Sequence, residues 1–97
     1  MAILPIVDNT RESRFEVTVE GQVAFLGYTR DGDRTVLHTT RVPKPLEGRG
    51  IAGQLAKHAL ESARASGLKV VPGCSFVEAY VARHPEYADL VEAPAAT

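Results

Sequence analysis

Apolar and polar positions alternate strictly from Arg14 in "RFEVTVE": Phe15, Val17 and Val19 fall on one side, Glu16, Thr18 and Glu20 on the other. A period of two is the mark of a half-buried β-strand. Gly21-Gln22 reads as a tight turn, and "VAFLGY" follows as a more evenly apolar strand suited to a central position. "RDGDR" (30–34) contains Asp-Gly, a strong hairpin signal, and "TVLHTTRV" supplies a third strand rich in β-branched residues. Three strands joined by short turns make an antiparallel meander.

The period then lengthens. Ile51, Ala52, Leu55, Ala56, Ala59, Leu60 and Ala63 recur at helical spacing, with Gln54, Lys57, His58, Glu61 and Arg64 on the opposite side. Gly67 is a natural stop for this helix, and the alanine-rich face implies close packing on a sheet. "LKVV" reads as a fourth strand, parallel to its neighbour because a helical crossover precedes it. After Pro72-Gly73, "CSFVEAYVARH" predicts a second helix, and Pro85 opens a short helical turn, "PEYADLV". The first dozen residues, with Pro5 and "DNTRES", read as an irregular, flexible arm, and "EAPAAT" as a frayed tail. The expected class is α/β (α+β). A mostly antiparallel sheet with one parallel strand packs on one main helix, with short C-terminal helices, in a single domain over 1–97 with its core at about 14–91.

Composition narrows the function. Over 97 residues, 44% are hydrophobic and 24% charged, as in an ordinary globular domain. A net charge of -1 provides no basic field, and the absence of Trp argues against a base-stacking platform, so no nucleic-acid partner is expected. Cys74 is the single cysteine, and no Cys/His cluster suggests a metal. "MAILPIVDNT" lacks the basic start and long apolar core of a secretion signal. No apolar run approaches the ~20 residues of a membrane span, so a cytoplasmic location without membrane contact is expected.

The stretch "PLEGRGIAGQL" carries the first chemical signal, with Gly48, Gly50 and Gly53 gathered where the main helix begins. Unpaired N–H groups at a helix start point outward, and the helix dipole adds positive charge, so an anion such as a diphosphate is accommodated there. Gly48 to Gly53 spell G-x-G-x-x-G, yet a meander rather than the first strand of a parallel βαβ unit precedes them, so this is not a dinucleotide fingerprint. A plain tight turn explains the same glycines equally well. Cys74 is the second signal: it follows a strand and opens a helix, a setting that favours a nucleophilic thiolate. Against this, a lone cysteine often only fills space. Tyr80, six residues on, is a candidate proton donor or a packing residue. His84 reads as a helix start ahead of Pro85, and His58 as a solvated residue.

Strands, then Glu47-Gly48-Arg49-Gly50-Ile51-Ala52, then a helix and a further strand resemble the acetyl-CoA-binding core of GNAT-type N-acetyltransferases. Val42-Pro43, Leu46 to Ala52, "GLKVVPGCSFV" (67–77) and "HPEY" (84–87) appear in the order of a small single-domain GNAT-like subfamily, over about residues 14 to 91. The resemblance implies a transferase that binds acetyl-CoA or coenzyme A and passes the acetyl group to an amine, polyamine or protein acceptor. It implies that amides of Gly48, Arg49, Gly50, Ile51, Ala52 and Gly53 hold the CoA diphosphate, although close packing on the sheet explains Gly53 better. Main-chain groups near Val42 would take the pantetheine arm, and Cys74 would lie by the thiol end as an acetyl carrier. Pro43 and Pro45 suit this, since they keep the segment out of an ordinary ladder.

Two departures stand out: Glu47 opens the loop where GNAT enzymes at large have Arg or Gln, as is often so in the small subfamily, and Thr39-Thr40-Arg41-Val42 stands where relatives have His-Thr-Glu-Val. Strand alternation would turn His38 away from the shifted histidine's face unless a bulge intervenes. The alternative readings are a non-catalytic CoA or acyl-CoA-binding module or sensor, and a scaffold that has lost its ligand. A monomer or weak dimer is expected.

Overall fold

The computed structural model describes residues 4–92. A five-stranded sheet runs in the order β1-β2-β3-β4-β5, with β1 at Val7–Asn9, β2 at Arg14–Val19, β3 at Gln22–Asp31, β4 at Arg34–Arg41 and β5 at Lys69–Pro72. The first three pairings are antiparallel and β4·β5 is parallel. Between β4 and β5 runs α1 (Ile51–Ser66), and α2 (Ser75–Arg83) follows β5. Single turns of 3-10 helix occur at Lys44–Leu46 and Pro85–Tyr87.

The alternation of β2 carries straight into packing. Phe15 and Val17 are buried, and they pair with Leu26 and Ala24, which are buried too. Tyr28, Leu37 and Val70 extend this face across β3, β4 and β5. Onto it α1 lays Ile51, Leu55, Ala59, Leu60 and Ala63, all buried. Small alanine faces let a helix approach closely, and each fully buried Leu contributes about 1.5–3 kcal/mol. From α2 only Val77 reaches full burial. The result is the expected α+β architecture, with one core between the sheet and the helices.

Three local expectations change. The N-terminal arm is not wholly irregular, because Val7–Asn9 pairs with β2 as an edge strand. It is held by Tyr28, whose hydroxyl donates to the Asp8 carboxylate at 2.6 Å. The β2–β3 turn is made by Glu20 (φ 51) and Gly21 (φ 78), one residue earlier than expected, because Val19 pairs with Gln22. At the other end Glu92 is tied down: its N–H donates to the Val70 carbonyl at 2.8 Å and its carboxylate meets Arg34 at 3.0 Å. The rest of the expected tail lies outside the described residues.

Candidate functional site

β5 pairs with β4 only from Arg34 to Leu37, and its last rung is the Gly73 N–H donating to the Leu37 carbonyl at 2.8 Å. Beyond that point the two strands part. Thr39, Thr40 and Arg41 are paired to β3 on one side and to no described strand on the other. Gly73 permits the close approach of that last rung. A Cβ there would come within 2.9 Å of Val36 Cγ1, closer than real Cβ atoms come, and would be tight against the Leu37 carbonyl oxygen at 3.1 Å. The cleft that opens has a volume of about 610 Å³, in the range of small-molecule sites. His38, Thr40, Val42, Glu47, Cys74 and Phe76 are among its lining residues.

A bulge sits at the mouth of the parting. Gly27 pairs with Thr39 and Tyr28 with Leu37, leaving His38 as the extra residue on β4. The bulge that the sequence needed for His38 to change faces is therefore present. Its ring lies over Gly27, where an added Cβ would be 3.3 Å from Cε1, and its Nδ1 is 2.8 Å from Thr39 Oγ1. His38 thus joins the cleft lining beside Cys74.

Cys74 is half-buried at the start of α2, in extended conformation (φ -142, ψ 157), and packs against the core. Its sulfur is 3.5 Å from Thr40 Oγ1, which joins the thiol to the open strand. Tyr80 lies outside the cleft lining. Its ring stacks on His84 at 3.9 Å between centroids, and Gly53 lies beside its edge. Burial pushes its phenol pKa up, helped by Glu86 and Glu61, so it keeps its proton. His84 Nδ1 is 2.8 Å from the Tyr80 carbonyl oxygen, within the α2 end.

The glycine loop is pinned at both ends. Leu46 is fully buried before it and Ile51 is buried after it, while residues 47–50 are exposed between these anchors. Gly48 (φ 82) and Gly50 (φ 76) are both left-handed, and a Cβ at either would meet nothing within 4 Å. Open space therefore lies where a side chain at either glycine would stand. Gly50 caps that helix without a side chain, so the leading N–H groups at Ile51, Ala52 and Gly53 have no side-chain cap. Gly53 departs from its packing expectation: the neighbour of an added Cβ is Tyr80 Cε2 at 3.8 Å, on α2 rather than on the sheet. Arg49 is engaged by Glu20, Nη1 to Oε2 at 2.7 Å and Nη2 to Oε1 at 3.4 Å. That hydrogen-bonded pairing lowers the Glu20 pKa and raises that of Arg49.

Sequence reasoning picked out Val42, the glycine loop and Cys74, and of these the fold brings Val42 and Cys74 into one cleft, with Glu47 of the loop at its border. Thr40, Phe76, Gly73 and Glu20 were missed. A "PGC" step and a glutamate in a two-residue turn were the available signals for the last two. Among the described residues no three His, Cys, Asp or Glu side chains converge on a metal position, and no helix is long and apolar enough to cross a membrane.

Comparison with known proteins agrees with this fold. The pattern of the GCN5-related N-acetyl-transferase family matches residues 14–90. The chain is 37% identical to Protein NATD1 of Xenopus tropicalis over 83 residues, covering 81% of this chain and 76% of that protein. The mouse (Mus musculus) Protein NATD1 is 39% identical over 83 residues with the same coverage. An NMR solution structure of a GCN5-like protein from Staphylococcus aureus superposes with a TM-score of 0.74 at 26% identity, covering 98% of this chain and 94% of that one.

Proposed function

Since this chain belongs to the GCN5-related N-acetyltransferase family, we propose that it binds acetyl-CoA in the β4/β5 cleft and transfers the acetyl group, through Cys74, to an amine or protein acceptor. The observation that carries this reading is the convergence of an open strand edge and a half-buried cysteine on one cleft bordered by the glycine loop. When bound, acetyl-CoA supplies an activated acyl thioester. The exposed loop at Gly48–Gly50 and the leading N–H groups of α1 hold its diphosphate, which helix N-termini favour. The free edge from His38 to Val42 offers main-chain groups to the pantetheine amides, as an added strand would use them.

Cys74 Sγ attacks the acyl carbonyl carbon. A new thioester forms at Cys74, and the CoA sulfur leaves with the electron pair and takes up the proton released by the Cys74 thiol. Tyr80, expected as the proton donor, lies outside the cleft lining with its ring on His84, so no proton step is assigned to it. An acceptor amine then attacks the Cys74 thioester; the amide forms, the bond to Cys74 sulfur breaks, and the proton lost by the amine passes to that sulfur to restore the thiol. Thr40, 3.5 Å from the sulfur, fixes the side chain beside the open strand.

The test is intact-mass analysis after incubation with acetyl-CoA. One added acetyl group is expected on the wild-type chain and none on Cys74→Ala. An unmodified wild type, or an unchanged adduct in Cys74→Ala, removes the relay. The bulge that brings His38 into the cleft favours a second reading, direct transfer with the imidazole taking the amine proton. It predicts turnover that survives Cys74→Ala and is lost in His38→Ala. CoA binding with neither adduct nor turnover identifies a CoA-binding module.

A further inference from the structure

Arg49 stands between the two left-handed glycines of the loop, yet its guanidinium fork is turned to the carboxylate of Glu20, 29 positions away in the β2–β3 turn. Glu20 holds a φ of 51 in a two-residue turn. Asn, Asp and Gly are the residues suited to such a turn, so a glutamate there carries a backbone cost without a local benefit. What the glutamate gains is the contact with Arg49. Both side chains are largely open to solvent, 45% and 64% exposed, so the pair is readily exchanged.

We infer that Glu20 is a built-in competitor for the phosphate site: its carboxylate occupies Arg49 in the free protein, and a bound diphosphate must take the guanidinium away from it. This rests on the reading that the glycine loop holds the diphosphate of CoA. The chemistry of the exchange is matched, because a guanidinium fork pairs with a carboxylate or a phosphate through the same two N–H donors. The open space at the side-chain positions of Gly48 and Gly50 leaves room for a phosphate beside Arg49. Glu20 thereby sets a threshold. A multiply charged diphosphate displaces it, and a singly charged ligand does so poorly. It is a specificity-determining residue for the loop and takes no part in acyl transfer.

The experiment is calorimetric titration of the full chain with acetyl-CoA, and separately with inorganic pyrophosphate, for wild type, Glu20→Gln, Arg49→Gln and the double variant. Glutamine keeps the size and the backbone conformation while removing the charge. Glu20→Gln should tighten both ligands about twofold to fivefold at low ionic strength, the range expected for an exposed pair. The gain should shrink toward none at high salt, where exposed charges are screened. It should also vanish in the Arg49→Gln background. Weaker binding in Glu20→Gln shows a strut that holds the loop in place, and unchanged binding shows an idle surface pair; either overturns the competitor. A wild-type chain that takes up neither ligand overturns the reading of the loop and the competitor together.

Discussion

Gly48 and Gly50 hold φ angles of 82 and 76, and neither is crowded. Their requirement is conformational, since an L side chain in the left-handed region costs roughly 1–2 kcal/mol. Gly50→Ala should therefore lower the unfolding free energy by about that amount, read by urea denaturation. A loss of acetyl-CoA affinity beyond this small change in stability would show that the loop conformation is what the ligand reads. Gly73 differs in kind, because it is required for space: Val36, Leu37 and His38 crowd the position that a Cβ would take. Neither distinction could be drawn from the one-letter sequence, where all three residues look like turn glycines.

At the scale of elements, the edge strand β1 hangs on few contacts, of which Tyr28 to Asp8 is the most specific. Burial, then the hydrogen bond and charge of Asp8, raise the Tyr28 pKa from 10.0 to about 12. The folded state thus keeps a proton that the unfolded state gives up between those values. The stabilisation is complete below pH 10 and falls as pH rises from 10 toward 12. Denaturation curves collected across that window should show a steeper alkaline loss for wild type than for Tyr28→Phe. At neutral pH the same substitution should cost about 1 kcal/mol for the lost hydrogen bond. The helical period and the Gly67 stop of α1 were legible because amphipathic spacing and capping are local properties. β1 was not, because a three-residue strand has too short a pattern to read and forms only where β2 offers an edge.

For the whole molecule, the parting of β4 from β5 is the organising feature. A parallel pair closed at Leu37 and open from His38 onward leaves a cleft between a strand edge and the start of a helix. Ligand in that cleft must stabilise the fold as a whole. At a hundredfold excess over Kd the gain is about 2.7 kcal/mol. For a domain of this size that raises Tm by roughly 10–20 °C. Thermal unfolding with acetyl-CoA, CoA and ATP should rank the CoA compounds first. An equal shift with ATP would reduce the loop to a generic phosphate site.

The sequence by itself determined the order and kind of the main elements, the parallel fourth pairing, the glycine loop and the cysteine after "PG". Each rests on local spacing or on the handedness of a crossover, which the chain encodes over a few residues. Tertiary structure alone decided that β4 carries a bulge at His38, that Thr40 meets the Cys74 sulfur and that Glu20 holds Arg49. Two of these join distant segments, Thr40 with Cys74 at 34 positions and Arg49 with Glu20 at 29, and the bulge is a matter of how β3 and β4 pair. They depend on strand register and on where two strands stop pairing. Register is set by the packing of a whole face at once, so no single stretch of sequence contains it.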